Sequence, residues 1–241
     1  MSFLDGVFGK NKLVDTTTYL SNVTGTLVQS PVPGLLEDGN ASAWLLPDNK
    51  DNLMNRNKVP NKNGLLEMKI KAADKGKQAF VDALKAIAGQ KVGVWGVLIN
   101  DDAKEGRAEI RPLDVLWTQL PEAKYPAWVG EMRKNMRAPE TLSVYKILSA
   151  SDASTSGKPP RADETRTVKI SIPYPPKPGP SYKDIKYEIK SLTNLNSDFQ
   201  LSNEMVREKL VLNVTLQSAK EAGPTIFIAD LAVFWNLEKF Q

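Results

Sequence analysis

The stretch from Leu66 to Lys71 alternates residue by residue: Leu66, Met68 and Ile70 are apolar, and Glu67, Lys69 and Lys71 are charged. That two-residue period predicts a strand with one buried face. The same signal recurs along the chain. Val23–Val28 is a short β-branched run interrupted by Gly25, and Ala41–Leu46 is a second apolar run. Between them lies the turn-rich segment 30–40, and between the second and third runs lies a polar loop, 48–63, with six asparagines. After the third run the period changes. Phe80, Leu84 and Ile87 recur at steps of four and three, which predicts a helix over 77–88 with Gly89 as its stop. Two more strand runs follow, Lys91–Ile99 and Ala108–Leu113, joined by the polar loop 100–107.

Five strands with a single helix between the third and the fourth is the element order of an OB-like five-stranded barrel, expected here over residues 14–120. The run Gly89-Gln-Lys-Val-Gly-Val-Trp-Gly-Val-Leu-Ile-Asn-Asp101, followed by Ala108-Glu-Ile-Arg-Pro-Leu-Asp114, resembles the last two strands of OB-like domains in poorly characterised bacterial proteins. Those domains often carry a histidine where this chain has Arg111, so no histidine-dependent role transfers. The resemblance covers about half the chain and implies a fold; OB-folds bind single strands, oligosaccharides and proteins alike.

Residues 121–140 read as a helical connector, with a short helix over 127–137 between prolines. From 141 to 241 strand signals return at Leu142–Leu148, Thr165–Ile172, Ile185–Lys190, Lys209–Leu216 and Thr225–Trp235. The last is almost continuously apolar, as a strand buried on both faces would be. Ser149–Glu164 has loop composition, and five prolines in 173–180 remove the backbone donors a central strand needs. The expected fold is therefore mainly β: an OB-like barrel followed by a β-sandwich-like unit, with a single larger β domain as the competing architecture.

Composition narrows the chemistry. The 241 residues contain no histidine and no cysteine, which closes imidazole triads, thiol nucleophiles, disulfides and the usual zinc sites. Asp101, Asp102, Glu105, Glu109 and Asp114 lack the spacing of a calcium loop and read as a solvated hairpin. No cofactor and no metal site are expected. The net charge is +4, but it is dispersed: 15 basic and 14 acidic residues in 1–121, 7 and 6 in 122–164, and 10 and 8 in 165–241. A phosphate-tracking groove draws its affinity from clustered cations, so nucleic acid is not the favoured partner. No apolar run is long enough to span a bilayer, and no secretory signal precedes the first strand, which leads to a cytoplasmic expectation.

Two sets of residues remain as binding candidates. On the face that OB-folds use for ligands, Trp44 offers a stacking ring, with Lys69, Lys71, Arg107 and Arg111 nearby. The blander reading packs Trp44 beneath a loop and leaves the cations as solubilising charge. At the N-terminus, residues 1–13 place Phe3, Leu4, Val7 and Phe8 at helical spacing outside either domain. Such an apolar segment needs cover, from its own chain, a second copy or another protein. Together these features predict a non-catalytic scaffold or self-assembling protein-interaction module. An OB-type module for single-stranded nucleic acid or oligosaccharide is the alternative.

Overall fold

A computed structural model describes residues 12–13, 20–36, 40–49, 62–70, 77–101, 107–151, 165–171, 178–194, 199–206, 211–218 and 225–237. The chain is mainly β. Its strands are β1 (Lys12–Leu13), β2 (Leu20–Leu27), β3 (Gly34–Leu35), β4 (Ala41–Pro47), β5 (Leu66–Ile70), β6 (Lys91–Asp101), β7 (Arg107–Gln119), β8 (Ser143–Ser151), β9 (Thr165–Ser171), β10 (Tyr182–Asn194), β11 (Phe199–Val206), β12 (Val211–Ser218) and β13 (Thr225–Leu237). Among the described residues two α-helices accompany them, α1 (Lys77–Ala86) and α2 (Trp128–Lys134).

Ten strands form one open sheet in the order β1-β6-β2-β4-β5-β7-β8-β13-β10, with β3 paired to β4 and β6 paired to β7 as well as to β2. All these pairings are antiparallel except β5 with β7, where Glu67 lies opposite Glu109 and Met68 opposite Ile110. A three-stranded antiparallel sheet, β11-β12-β9, stands apart from this path. The C-terminal strands do not begin a new sheet at the connector. Val115–Gln119 of β7 pair with Tyr145–Ser149 of β8, which carries the sheet straight from one half of the chain into the other.

The first core lies on the inner side of β2, β4, β5, β6 and β7. Leu27, Ala43, Leu45, Leu66, Met68, Ile70, Val94 and Ile110 are at most 1% exposed there. Phe80, Val81 and Leu84 of α1 pack into the same cluster, so the helix closes one end of it. Burying each of these large side chains stabilises the fold by about 1.5–3 kcal/mol. Gly89, at φ +86°, ends the helix in the left-handed region as its position predicts. Gly25 is required for another reason: a Cβ there would lie 2.5 Å from the Leu46 carbonyl oxygen, so only glycine lets β2 cross β4 this closely.

The first core continues onto β8 and β13 through Val144, Leu148, Ala232 and Phe234. The opposite face of those strands builds a second core from Val115, Trp117, Tyr145, Ile147, Ile185, Ala229, Leu231 and Val233. The C-terminal part of β7, with β8 and β13, is thus buried on both sides, which accounts for the unbroken apolar run of β13. Trp117 rests against Gly93 of β6, where a Cβ would fall 2.3 Å from the indole ring. Trp235, near the end of β13, is half-buried at the rim of this second cluster.

β7 runs on to Gln119, six residues past the predicted end at Leu113, with Pro112 inside it. The structure accommodates it in a bulge: Leu98 pairs with Ile110 but Gly96 with Leu113, so β7 carries an extra residue around Pro112. A bulge is where a sheet tolerates a residue that has no N–H to donate. The connector is then tied down at both ends. Lys124 donates to the Ala86 carbonyl at 2.9 Å. The Thr141 hydroxyl donates to the Ala138 carbonyl at 2.9 Å and accepts the Trp235 backbone N–H at 3.2 Å. Tyr125, Trp128, Met132 and Met136 pack onto the first core between these anchors.

Candidate functional site

Strict alternation on three neighbouring strands sorts side chains between the first core and an outer face. On β4, Ala41, Ala43 and Leu45 point inward, leaving Ser42, half-buried Trp44 and exposed Leu46 outside. On β5, Leu66, Met68 and Ile70 are buried in the core while Glu67 and Lys69 take the other side. On β7, Ala108 and Ile110 face the core, and Arg107, Glu109 and Arg111 alternate with them. The registers align these positions in rows. Trp44 is opposite Glu67, Glu67 is opposite Glu109, and Ser42 is opposite Lys69.

The row centres on Glu109. Its carboxylate is almost wholly withdrawn from solvent and is held from two sides: Lys69 Nζ lies 3.4 Å from Oε2, and Arg111 Nη1 lies 3.3 Å from Oε1. Glu67, 6% exposed, occupies the next strand of the same row. Burying a carboxylate costs several kcal/mol unless a cation compensates it, so these contacts fix all three side chains in one arrangement. Lys69 and Arg111 (+2) against Glu67 and Glu109 (−2) sum to zero, and Arg107 adds one positive charge.

This arrangement corrects one expectation outright. Glu109 is not a solvated hairpin residue; it is 1% exposed and the anchor of the polar row. The structure places Trp44, Lys69, Arg107 and Arg111 on the outer side of β4, β5 and β7. Lys71 and the N-terminal residues Phe3, Leu4, Val7 and Phe8 lie outside the described residues. Glu67 and Glu109 are the site residues that motif reading passed over. The signal was present: Glu109 sits between Arg107 and Arg111 at two-residue steps, on the side opposite Ala108 and Ile110.

A second concavity of about 490 Å³ lies between the end of α2 and strands β10 and β13, lined by Met132, Met136, Arg137, Glu188, Lys190 and Trp235 among others. Its charged rim is partly engaged, since Lys190 ion-pairs with Glu188.

No family model, curated protein or solved structure matches this chain. The functional reading therefore rests on the residues themselves. Among the described residues, no helix is long and apolar enough to cross a membrane.

Proposed function

We propose that this chain is a non-catalytic protein-interaction module whose first half is an OB-like barrel, with a partner binding the outer face of β4, β5 and β7. The strand pairings support the barrel: β2 with β4, β4 with β5, β5 parallel with β7, β7 with β6, and β6 back to β2. That is the order in which an OB barrel links its five strands, with the helix at one end. β8, β13 and β10, together with the β11-β12-β9 sheet, supply the material of the sandwich-like second unit.

The observation that carries the binding face is the Lys69–Glu109–Arg111 arrangement beside Trp44. The polar groups are fixed before any partner arrives, so association need not pay to order them. The half-buried Trp44 and the exposed Leu46, 48% accessible, add apolar area on the same side of β4. Aromatic residues and arginine in a fixed setting are what dominate protein interfaces. The absence of histidine and cysteine from the sequence supports the non-catalytic reading. A contribution to assembly by Phe3, Leu4, Val7 and Phe8 belongs to the same proposal and rests on sequence alone.

A second reading, oligosaccharide binding, draws on one observation: Trp44 is directly opposite Glu67 in the strand register, which places an aromatic residue beside a polar row. Single-stranded nucleic acid is the less favoured partner, because Lys69 and Arg111 already compensate Glu109. Titration with single-stranded oligonucleotides at low and high salt, and with an oligosaccharide panel, separates the readings. The protein-partner reading expects no oligonucleotide affinity even at low salt. Binding that falls steeply with salt and is lost in Trp44→Ala would replace it.

A further inference from the structure

Strand β10 is the last strand of the ten-stranded sheet, and among the described residues it pairs with β13 alone. It is thirteen residues long and has no proline to blunt it. An edge of that kind is a template for another strand. We propose that two copies of the chain join antiparallel along β10, about a two-fold axis passing through Tyr187.

The register follows from two constraints. Within β10, Ile185, Tyr187 and Ile189 belong to the second core, while Lys186, Glu188 and Lys190 are exposed on the other face. Two copies must keep core face beside core face, since a one-residue slip would invert every side chain. Only registers that differ by two residues remain. With Tyr187 opposite its own copy, Ile185 meets Ile189, and Lys186 meets Glu188 twice, once on each side of the axis. Shifting the axis to residue 186 would set Lys186 against itself. Shifting it to residue 188 would set Glu188 against itself. Of the registers centred on residues 186, 187 and 188, only the one at Tyr187 opposes unlike charges, and directly opposed charges are where a sheet feels the difference.

Burial points the same way. In the second core Ile147 and Val233 are fully buried, Ile185 is 9% exposed, and Tyr187 and Ile189 are only half-covered. A second β10 would continue this core across the edge. The bulges make the contact finite. β10 departs from regular pairing between Tyr182 and Asp184 and again between Ile189 and Ser191, so only the short segment 184–189 presents a straight edge. A two-fold contact also uses the same edge of both copies, which closes at a dimer instead of propagating. This interface is separate from the outer face of β4, β5 and β7, so the two proposals stand or fall independently.

Light scattering and sedimentation of the full chain test it. The wild type is expected to dimerise. Lys186→Glu sets glutamate opposite Glu188 at both ends of the contact, and Glu188→Lys sets lysine opposite Lys186. Each reversal should raise the dimer dissociation constant about tenfold or more. Mixing the two variants restores opposite charges at both positions, so a heterodimer should form from two monomeric preparations. Both positions are exposed, and circular dichroism will show whether each variant is folded. A wild type that stays monomeric up to its solubility limit overturns the proposal. So does a dimer indifferent to both reversals, or a mixture of the two variants that stays monomeric.

Discussion

Replacing Glu109 by leucine removes the carboxylate that Lys69 and Arg111 both approach within 3.4 Å. Side-chain exposure is 2% for Glu109, 11% for Lys69 and 28% for Arg111, and that gradient decides how the loss is felt. Arg111 can swing its guanidinium toward water, whereas Lys69 is left as a poorly solvated cation. Breaking a buried ion pair from one side costs about 3–5 kcal/mol. We expect Glu109→Leu near that range, Lys69→Met somewhat below it, and Arg111→Met at about 1 kcal/mol. The triple replacement Lys69→Met/Glu109→Leu/Arg111→Met removes all three charges together and should recover most of the loss. Urea unfolding measures this through the midpoint, provided the slope is unchanged. A cost below about 1 kcal/mol for Glu109→Leu, the value of a surface pair, would refute the claim that this row is a buried and fixed arrangement.

Thr141→Val leaves the Trp235 backbone N–H without the hydroxyl it donates to, and should lower stability by about 1–3 kcal/mol in the same assay. Phe80→Ala empties the centre of the first core, where Phe80 is fully buried, and should cost about 3–5 kcal/mol. Tyr145 gives a pH signature. Burial pushes its phenol from 10.0 up to about 12. Because the folded state favours the protonated form, the associated stability is present below pH 10 and is lost as pH rises from 10 toward 12. Its size is on the order of 2–3 kcal/mol. Thermal melts of Tyr145→Phe should therefore show a shallower decline over that window than the wild type; identical slopes would contradict the assignment. Asp48 acts at the acid end. Its hydrogen bond from Lys91 holds its carboxyl below the ordinary value of 3.8, so that contribution is present above this value and fades as pH falls further. Asp48→Asn should flatten the acid limb of the melting profile.

Local pattern was enough for most strands and for α1, because each reports its own environment. Leu66, Met68 and Ile70 alternate for the same reason that they are buried, and Phe80 and Leu84 repeat with the helix that seats them. Pairing between distant segments was less legible. The parallel contact of β5 with β7 joins residues 67 and 109, and nothing near Glu67 in the sequence announces Glu109. For that reason Glu109 read as a solvated acid, and Lys69 and Arg111 as cations free for a ligand. The continuation of the sheet from β7 into β8 was hidden differently: the apolar run is read only as far as Leu113, and the pairing of Val115–Gln119 with β8 joins segments about thirty residues apart. In β10 the bulges break the alternation on either side of residues 184–189, so only the straight middle of a thirteen-residue strand was visible.

The proposed function requires that the outer face of β4 meet a protein. A photo-crosslinking amino acid at position 46, where Leu46 is 48% exposed two residues from Trp44, reads this directly in cells that make the chain. A second probe at position 85, on the exposed side of α1, serves as the control. A discrete protein adduct is expected from position 46 and absent from position 85. That adduct should be lost in Trp44→Ala while the chain stays folded. An adduct equally strong from both positions, none from position 46, or one indifferent to Trp44→Ala would contradict the proposed function.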